Sequence, residues 1–149
     1  MTTRYFDDFA VGDRFTTAAV TVTEEQIIDF AFRWDPYAFH LDRGAAEAHP
    51  LGGLLSSGLH TLCLSFRQFA ESGLLAASAI SGAGIDRLRW LRPVRPGDTL
   101  HGVAEVIALH PSRSKPDRGI IVMRHSTMNQ NGETVLALDC RHLVKRRDG

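Results

Sequence analysis

Asp35 and His40 stand five positions apart, in Phe30-Ala-Phe-Arg-Trp-Asp-Pro-Tyr-Ala-Phe-His-Leu-Asp-Arg-Gly-Ala-Ala46. A carboxylate and an imidazole held on one short, apolar-flanked segment can serve as an acid–base pair, because both are titratable and the backbone between them is constrained. Pro36 pins its own φ and disfavours the α region for Asp35, so a helix is expected to end near Trp34 and hand the pair to a loop. The same residues also fit a turn acid beside a surface histidine, and their spacing alone does not choose between the two. Other nucleophile patterns are poor. Ser56 and Ser57 lack the Gly-x-Ser-x-Gly elbow of a serine hydrolase. Cys63 and Cys140 share no metal-ligand spacing and read as buried free thiols of a reducing compartment.

Several elements must position the pair. Arg14 to Val22 is rich in Thr and Val and is predicted to be a first strand. Thr23-Glu24-Glu25-Gln26 fits a capping box, and Ile27, Ile28, Phe30, Ala31 and Trp34 follow at helical spacing, which predicts a helix over about Glu24 to Arg33. Asp42 is placed to cap a short helix through Ala48. Leu54 to Gly73 is the longest helical candidate, with Leu55, Leu59, Leu62, Cys63, Phe66 and Phe69 recurring at threes and fours. Gly58 lies near its start, where backbone N–H groups are free and the dipole is positive. His60 beside it reads as a helix-start histidine satisfied by backbone, and Trp34 and Trp90 as packing residues.

Beyond Gly73 the pattern turns to period two. Strands are predicted over Ala79–Leu91, Thr99–His110, Ile120–Asn129 and Glu133–Lys145, the last two joined across an Asn-Gly hairpin signal. The tail from Lys145 to Gly149 reads as frayed. One long helix beside a run of antiparallel strands is an α+β layout, with the sheet wrapped around the helix. One domain over residues 1–149 is expected, since 149 residues at 44% hydrophobic content can bury one core. Equal numbers of basic and acidic residues, 17 each, give no pull toward nucleic acid or an anionic membrane. No apolar run approaches bilayer length, and acids at Asp7 and Asp8 argue against a signal peptide, so a cytoplasmic protein is expected.

Asp35-Pro-Tyr-Ala-Phe-His40 resembles the Asp-x-Asn-Pro-Leu-His signature of MaoC-like dehydratases and R-specific enoyl-CoA hydratases. Gly53-Leu-Leu-Ser-Ser-Gly-Leu-His-Thr61 is similar to the start of that family's central helix, and Ile85 to Asp98 to its strand-and-turn segment. Ser112 to Gly119 and Asn129-Gln-Asn-Gly132 are similar as well, so the resemblance covers most of the chain. It implies a hot-dog fold, a homodimer or dimer of dimers with sites near the interface, and a CoA thioester substrate hydrated or dehydrated across its 2,3 double bond. It implies Asp35 and His40 as catalytic residues and Gly58 as the thioester-binding backbone N–H, with no metal or cofactor. Tyr37 and Ser57 are candidate substrate contacts. Arg113, Lys115 and Arg118 form a basic loop suited either to CoA phosphates or to solvent. Tyr37 stands where the family has Asn or Gln, a departure that bears on turnover. A hot-dog acyl-CoA thioesterase and a non-catalytic acyl-CoA-binding subunit are the alternative readings.

Overall fold

The computed structural model describes residues 1–147. After a single 3-10 turn at Phe6–Asp8 come β1 (Arg14–Thr16), β2 (Val20–Thr21) and α1 (Glu24–Trp34). Two short helices follow, α2 (Ala38–Leu41) and α3 (Arg43–Glu47), then the central helix α4 (Gly58–Glu71). Four long strands complete the chain: β3 (Ala79–Trp90), β4 (Thr99–Pro111), β5 (Arg118–Met128) and β6 (Thr134–Lys145). All pairings are antiparallel, in the order β1-β4-β5-β6-β3, with β2 also pairing β4. Among the described residues, no helix is long and apolar enough to cross a membrane.

Local signals account for most boundaries. Thr23 caps α1 reciprocally: its hydroxyl accepts from the Gln26 N–H at 3.2 Å, and the Gln26 side chain accepts from the Thr23 N–H at 3.1 Å. Asp42 caps α3 through the Ala45 N–H. β4 alternates as expected, with Leu100, Gly102, Ala104 and Val106 buried against the inner face. That face packs α4 in two apolar groups. One holds Phe6, Phe69, Leu74, Val106, Ile121 and Met123; the other holds Val22, Ile27, Leu54, Leu100, Leu136 and Leu138. Each such side chain contributes about 1.5–3 kcal/mol by leaving water.

Several expectations are corrected. The first strand is two short ones, because Thr17 replaces a ladder pairing with its own side chain. Its Oγ1 accepts from the Gly102 N–H at 2.8 Å, and the neighbouring Ala18 carbonyl accepts from Gln68 Nε2 at 2.9 Å. The central helix starts at Gly58 rather than Leu54. Residues Leu54–Ser57 run extended, Ser56 donating its N–H to the Val94 carbonyl at 2.8 Å, and Ser57 caps the helix through the Leu59 N–H at 3.2 Å. Cys140 is buried but Cys63 is exposed, since it sits on the face of α4 that no described element covers. Trp34 is 70% exposed rather than packed. The tail is tied down as far as it is described: Lys145 closes β6, and Arg146 and Arg147 pair with Asp7 and Asp8. The rest of the frayed-tail expectation, Asp148 and Gly149, lies outside the described residues.

Candidate active site

Asp35 terminates α1. Its N–H still donates to the Ala31 carbonyl at 2.9 Å, but its backbone has left the helical region (φ −156°, ψ 67°), as Pro36 requires. The chain does not then stay a loop. Ala38–Leu41 make one helical turn, and His40 is carried on that turn into the interior, 5% exposed. The turn aims both side chains at one point: His40 Nε2 lies 3.5 Å from Asp35 Oδ2.

Two further contacts fix what the pair can do. His40 Nδ1 lies 2.7 Å from the Leu55 carbonyl oxygen. A carbonyl can only accept, so Nδ1 carries a proton, which in the neutral ring leaves Nε2 as the acceptor nitrogen on the side of Asp35. Ser57 Oγ donates to Asp35 Oδ2 at 2.7 Å, holding the carboxylate in place. An imidazole nitrogen and a carboxylate oxygen thus converge on one point, where a single water can meet both. Asp35 and His40 share the wall of a cavity of about 420 Å³ with Leu55, Gly58, Leu59 and Trp90. Volume and lining suit a small, mostly apolar ligand.

Gly58 is the first residue of α4, so its N–H belongs to the free end of the helix. Its carbonyl accepts from Trp90 Nε1 at 2.8 Å, and the N–H edge of the indole lies against it: a Cβ built there would meet Nε1 at 2.5 Å. Only glycine fits against this edge. Trp90 is therefore not a core packing residue, being 50% exposed; it clamps the glycine and walls the cavity. Sequence reasoning missed that role, whose one signal was an aromatic within the strand-and-turn segment.

His60 is buried and stacked on Phe30 with ring centroids 4.9 Å apart, and its Nδ1 meets Ser56 Oγ at 2.7 Å, a side chain rather than the expected backbone. Burial lowers its pKa. Tyr37 is 63% exposed and stacks on Phe39, rings 9° from parallel, outside the lining of the cavity. Ser57 reaches the site only through Asp35 and the helix cap. Arg113 and Lys115 lie between β4 and β5, and Arg118 opens β5 with its guanidinium on Asp117 at 2.7 Å. Register puts this loop at the Ala79 end of β3, whereas the cavity is at the Trp90 end. The twelve residues of β3 separate the two by roughly 36 Å at ~3.3 Å per residue, so one chain does not bring them together.

Residues 8–127 match the MaoC like domain family. Over 140 residues the chain is 31% identical to the uncharacterized protein YdeM of Bacillus subtilis, covering 94% of this chain and 98% of that protein. It is 36% identical over 147 residues to a mesaconyl-CoA hydratase of Cereibacter sphaeroides, covering 97% of this chain but only 42% of the relative. Among solved structures it superposes on a MaoC-like dehydratase from Rhodospirillum rubrum with TM-score 0.92 at 44% identity, covering 98% and 99% of the two chains. A Mycobacterium tuberculosis protein with a double hotdog fold superposes with TM-score 0.77 at 23% identity, covering 98% of this chain and 45% of that one. The sheet wrapped on one long helix is the hot-dog fold.

Proposed function

Since the chain belongs to the MaoC-like domain family, we propose that it is a hydro-lyase that adds water to, or removes it from, the 2,3 double bond of an enoyl-CoA thioester. The observation that carries this reading is the convergence of Asp35 Oδ2 and His40 Nε2, 3.5 Å apart, on the cavity that Gly58, the first residue of α4, also lines. Water held between the two acceptors gives one proton to His40 Nε2 as its oxygen bonds to C3. The double-bond electrons move to the thioester carbonyl, and the resulting enolate oxygen meets the Gly58 N–H at the positive end of α4. One such donor typically contributes about 2.7–4 kcal/mol. The enolate then collapses, and C2 takes a proton from the Asp35–His40 pair. Elimination runs through the same groups in reverse.

A panel of enoyl-CoAs assayed with wild type, Asp35→Asn and His40→Ala tests the reading. Wild type is expected to consume the conjugated enoyl thioester without releasing free thiol, and each variant to lose roughly 10²–10⁴-fold in kcat/KM. Equal activity in all three proteins, or thiol release from saturated acyl-CoAs, would overturn it.

The reading extends to a homodimer. β3 is an edge strand of 12 residues, exposed along nearly its whole length. It carries Ile80, Ile85 and Trp90, each 37–50% exposed, and Leu91 follows at 55%. A long apolar edge is a template for pairing. Antiparallel pairing of two copies about Ile85 sets the Ala79 end of one β3 beside the Trp90 end of the other. The basic loop of each copy then approaches the other's cavity, which supports Arg113 and Lys115 as contacts for CoA phosphates.

A further inference from the structure

Leu55, Ser56 and Ser57 are consecutive, and each reaches a different group. The Leu55 carbonyl lies 2.7 Å from His40 Nδ1, and Ser57 Oγ donates to Asp35 Oδ2 at 2.7 Å. Between these two contacts, Ser56 Oγ lies 2.7 Å from His60 Nδ1. Ser56 is 4% exposed and His60 7%, so little water competes for their hydrogen bond. Neither side chain takes part in the proton transfers of the hydro-lyase reading.

The three residues belong to no helix or strand, so no ladder fixes their backbone. One backbone bond, from the Ser56 N–H to the Val94 carbonyl at 2.8 Å, ties the middle of the segment to the connection between β3 and β4. The Ser56–His60 bond is a second tie, and its far end is firmly seated. His60 stands in the first turn of α4, and its ring stacks on Phe30 of α1 with centroids 4.9 Å apart and planes 19° from parallel. Burial lowers the pKa of His60, so the bond joins two neutral groups. Through this one ring the segment that holds His40 and Asp35 is referenced to α1, which ends at Asp35, and to α4, which begins at Gly58.

We propose that Ser56 and His60 are positioning residues of the Asp35–His40 site: their hydrogen bond holds the Leu55 carbonyl against His40 Nδ1, and so keeps Nε2 of the neutral His40 ring free to accept a proton. A neutral imidazole relieved of that carbonyl redistributes its proton between both nitrogens. With the proton on Nε2, the ring donates to Asp35 and has no lone pair left on that side to take a proton from water. The kinetic consequence rests on the hydro-lyase reading; the consequence for the His40 proton does not. A serine–histidine bond that served packing alone would stabilise the fold and leave the His40 proton where it is.

The test uses Ser56→Ala, His60→Phe, which keeps a ring on Phe30, and His60→Asn, whose amide stands where Nδ1 does. Protein labelled at its histidine ring nitrogens is read by NMR at about pH 9, above the ordinary imidazole range, with the His40 signals assigned by their absence from His40→Ala. Wild type and His60→Asn are expected to show a protonated Nδ1 and an unprotonated Nε2, and Ser56→Ala and His60→Phe a mixture of both tautomers. On an enoyl-CoA, the last two should each lose about tenfold in kcat with KM within about twofold, the effect of one lost hydrogen bond. The double variant should be no worse than either single one, because both remove the same bond, and His60→Asn should stay within about threefold of wild type. An unchanged His40 proton in Ser56→Ala and His60→Phe, or losses that multiply in the double variant, would overturn the proposal. Should His60→Phe fail to fold, Ser56→Ala against His60→Asn decides it. A wild type that hydrates no enoyl-CoA but shows the expected ring changes sinks the hydro-lyase reading and leaves the positioning role standing.

Discussion

At the residue scale the site depends on groups that hold other groups. Ser57 restrains Asp35 and caps α4 with the same oxygen. Ser57→Ala is therefore expected to cost about 1 kcal/mol in denaturant unfolding through the lost cap. It should also lower kcat with little change in KM, since the carboxylate is freed rather than removed. A purely structural serine would lower stability alone. Gly58→Ala forces the Trp90 ring off the helix start, because the new Cβ would lie 2.5 Å from Nε1. The expected loss in kcat/KM is about tenfold or more, as the helix N–H no longer meets the thioester oxygen squarely. Adding Trp90→Ala should recover part of that loss by reopening the space; a double variant no better than Gly58→Ala would show that the clash is not the cause.

At the element scale, legibility followed sequence distance. The capping box, the stop at Pro36, the Asp42 cap, the alternation of β4 and the Asn-Gly turn are all written within a few residues, and all were legible. The break between β1 and β2 was not, because it depends on Gly102, 85 positions from Thr17. Nor was the true start of α4: Leu54 and Leu55 continue an apolar helical period, but their backbone is drawn into an extended path against Val94. α1 delivers Asp35, so its cap matters to the whole segment. Thr23→Ala removes one half of a reciprocal pair and is expected to lower unfolding free energy by about 1 kcal/mol in a urea titration.

At the scale of the whole molecule, the buried histidines make stability depend on pH. An unfolded histidine titrates near 6.5, whereas His142 and His125 in the fold titrate near 4 and 3. Between those values the unfolded chain binds more protons than the folded one. Stability therefore falls as pH drops from about 6.5 toward 4, by up to ~1.4 kcal/mol per unit for each ring. His60, also lowered, adds to this window. The lowered carboxylate of Asp139 acts in a separate window, losing its contribution only below about pH 4. Thermal melts across this range should show the upper slope in wild type and a flatter curve in the His125→Leu/His142→Leu variant. The exposed β3 edge makes a prediction at the same scale. Under the proposed β3 pairing, wild type is expected to sediment as a dimer and Ile85→Lys as a monomer, because the substitution places like charges opposite each other at the two-fold.

By itself the sequence determined the period of each element, the position of most caps and turns, and the co-occurrence of Asp35 and His40 on one constrained segment. These are properties of neighbours, set by backbone stereochemistry and by which faces can be buried. The tertiary structure alone decided which nitrogen of His40 carries the proton, through a carbonyl 15 positions away. It decided that Trp90 closes over Gly58 from 32 positions away, and that His125 meets His142 across two strands. It also turned Tyr37, the family-atypical residue of the signature, outward onto Phe39. Such contacts join residues far apart in the chain, and no local pattern encodes their partners.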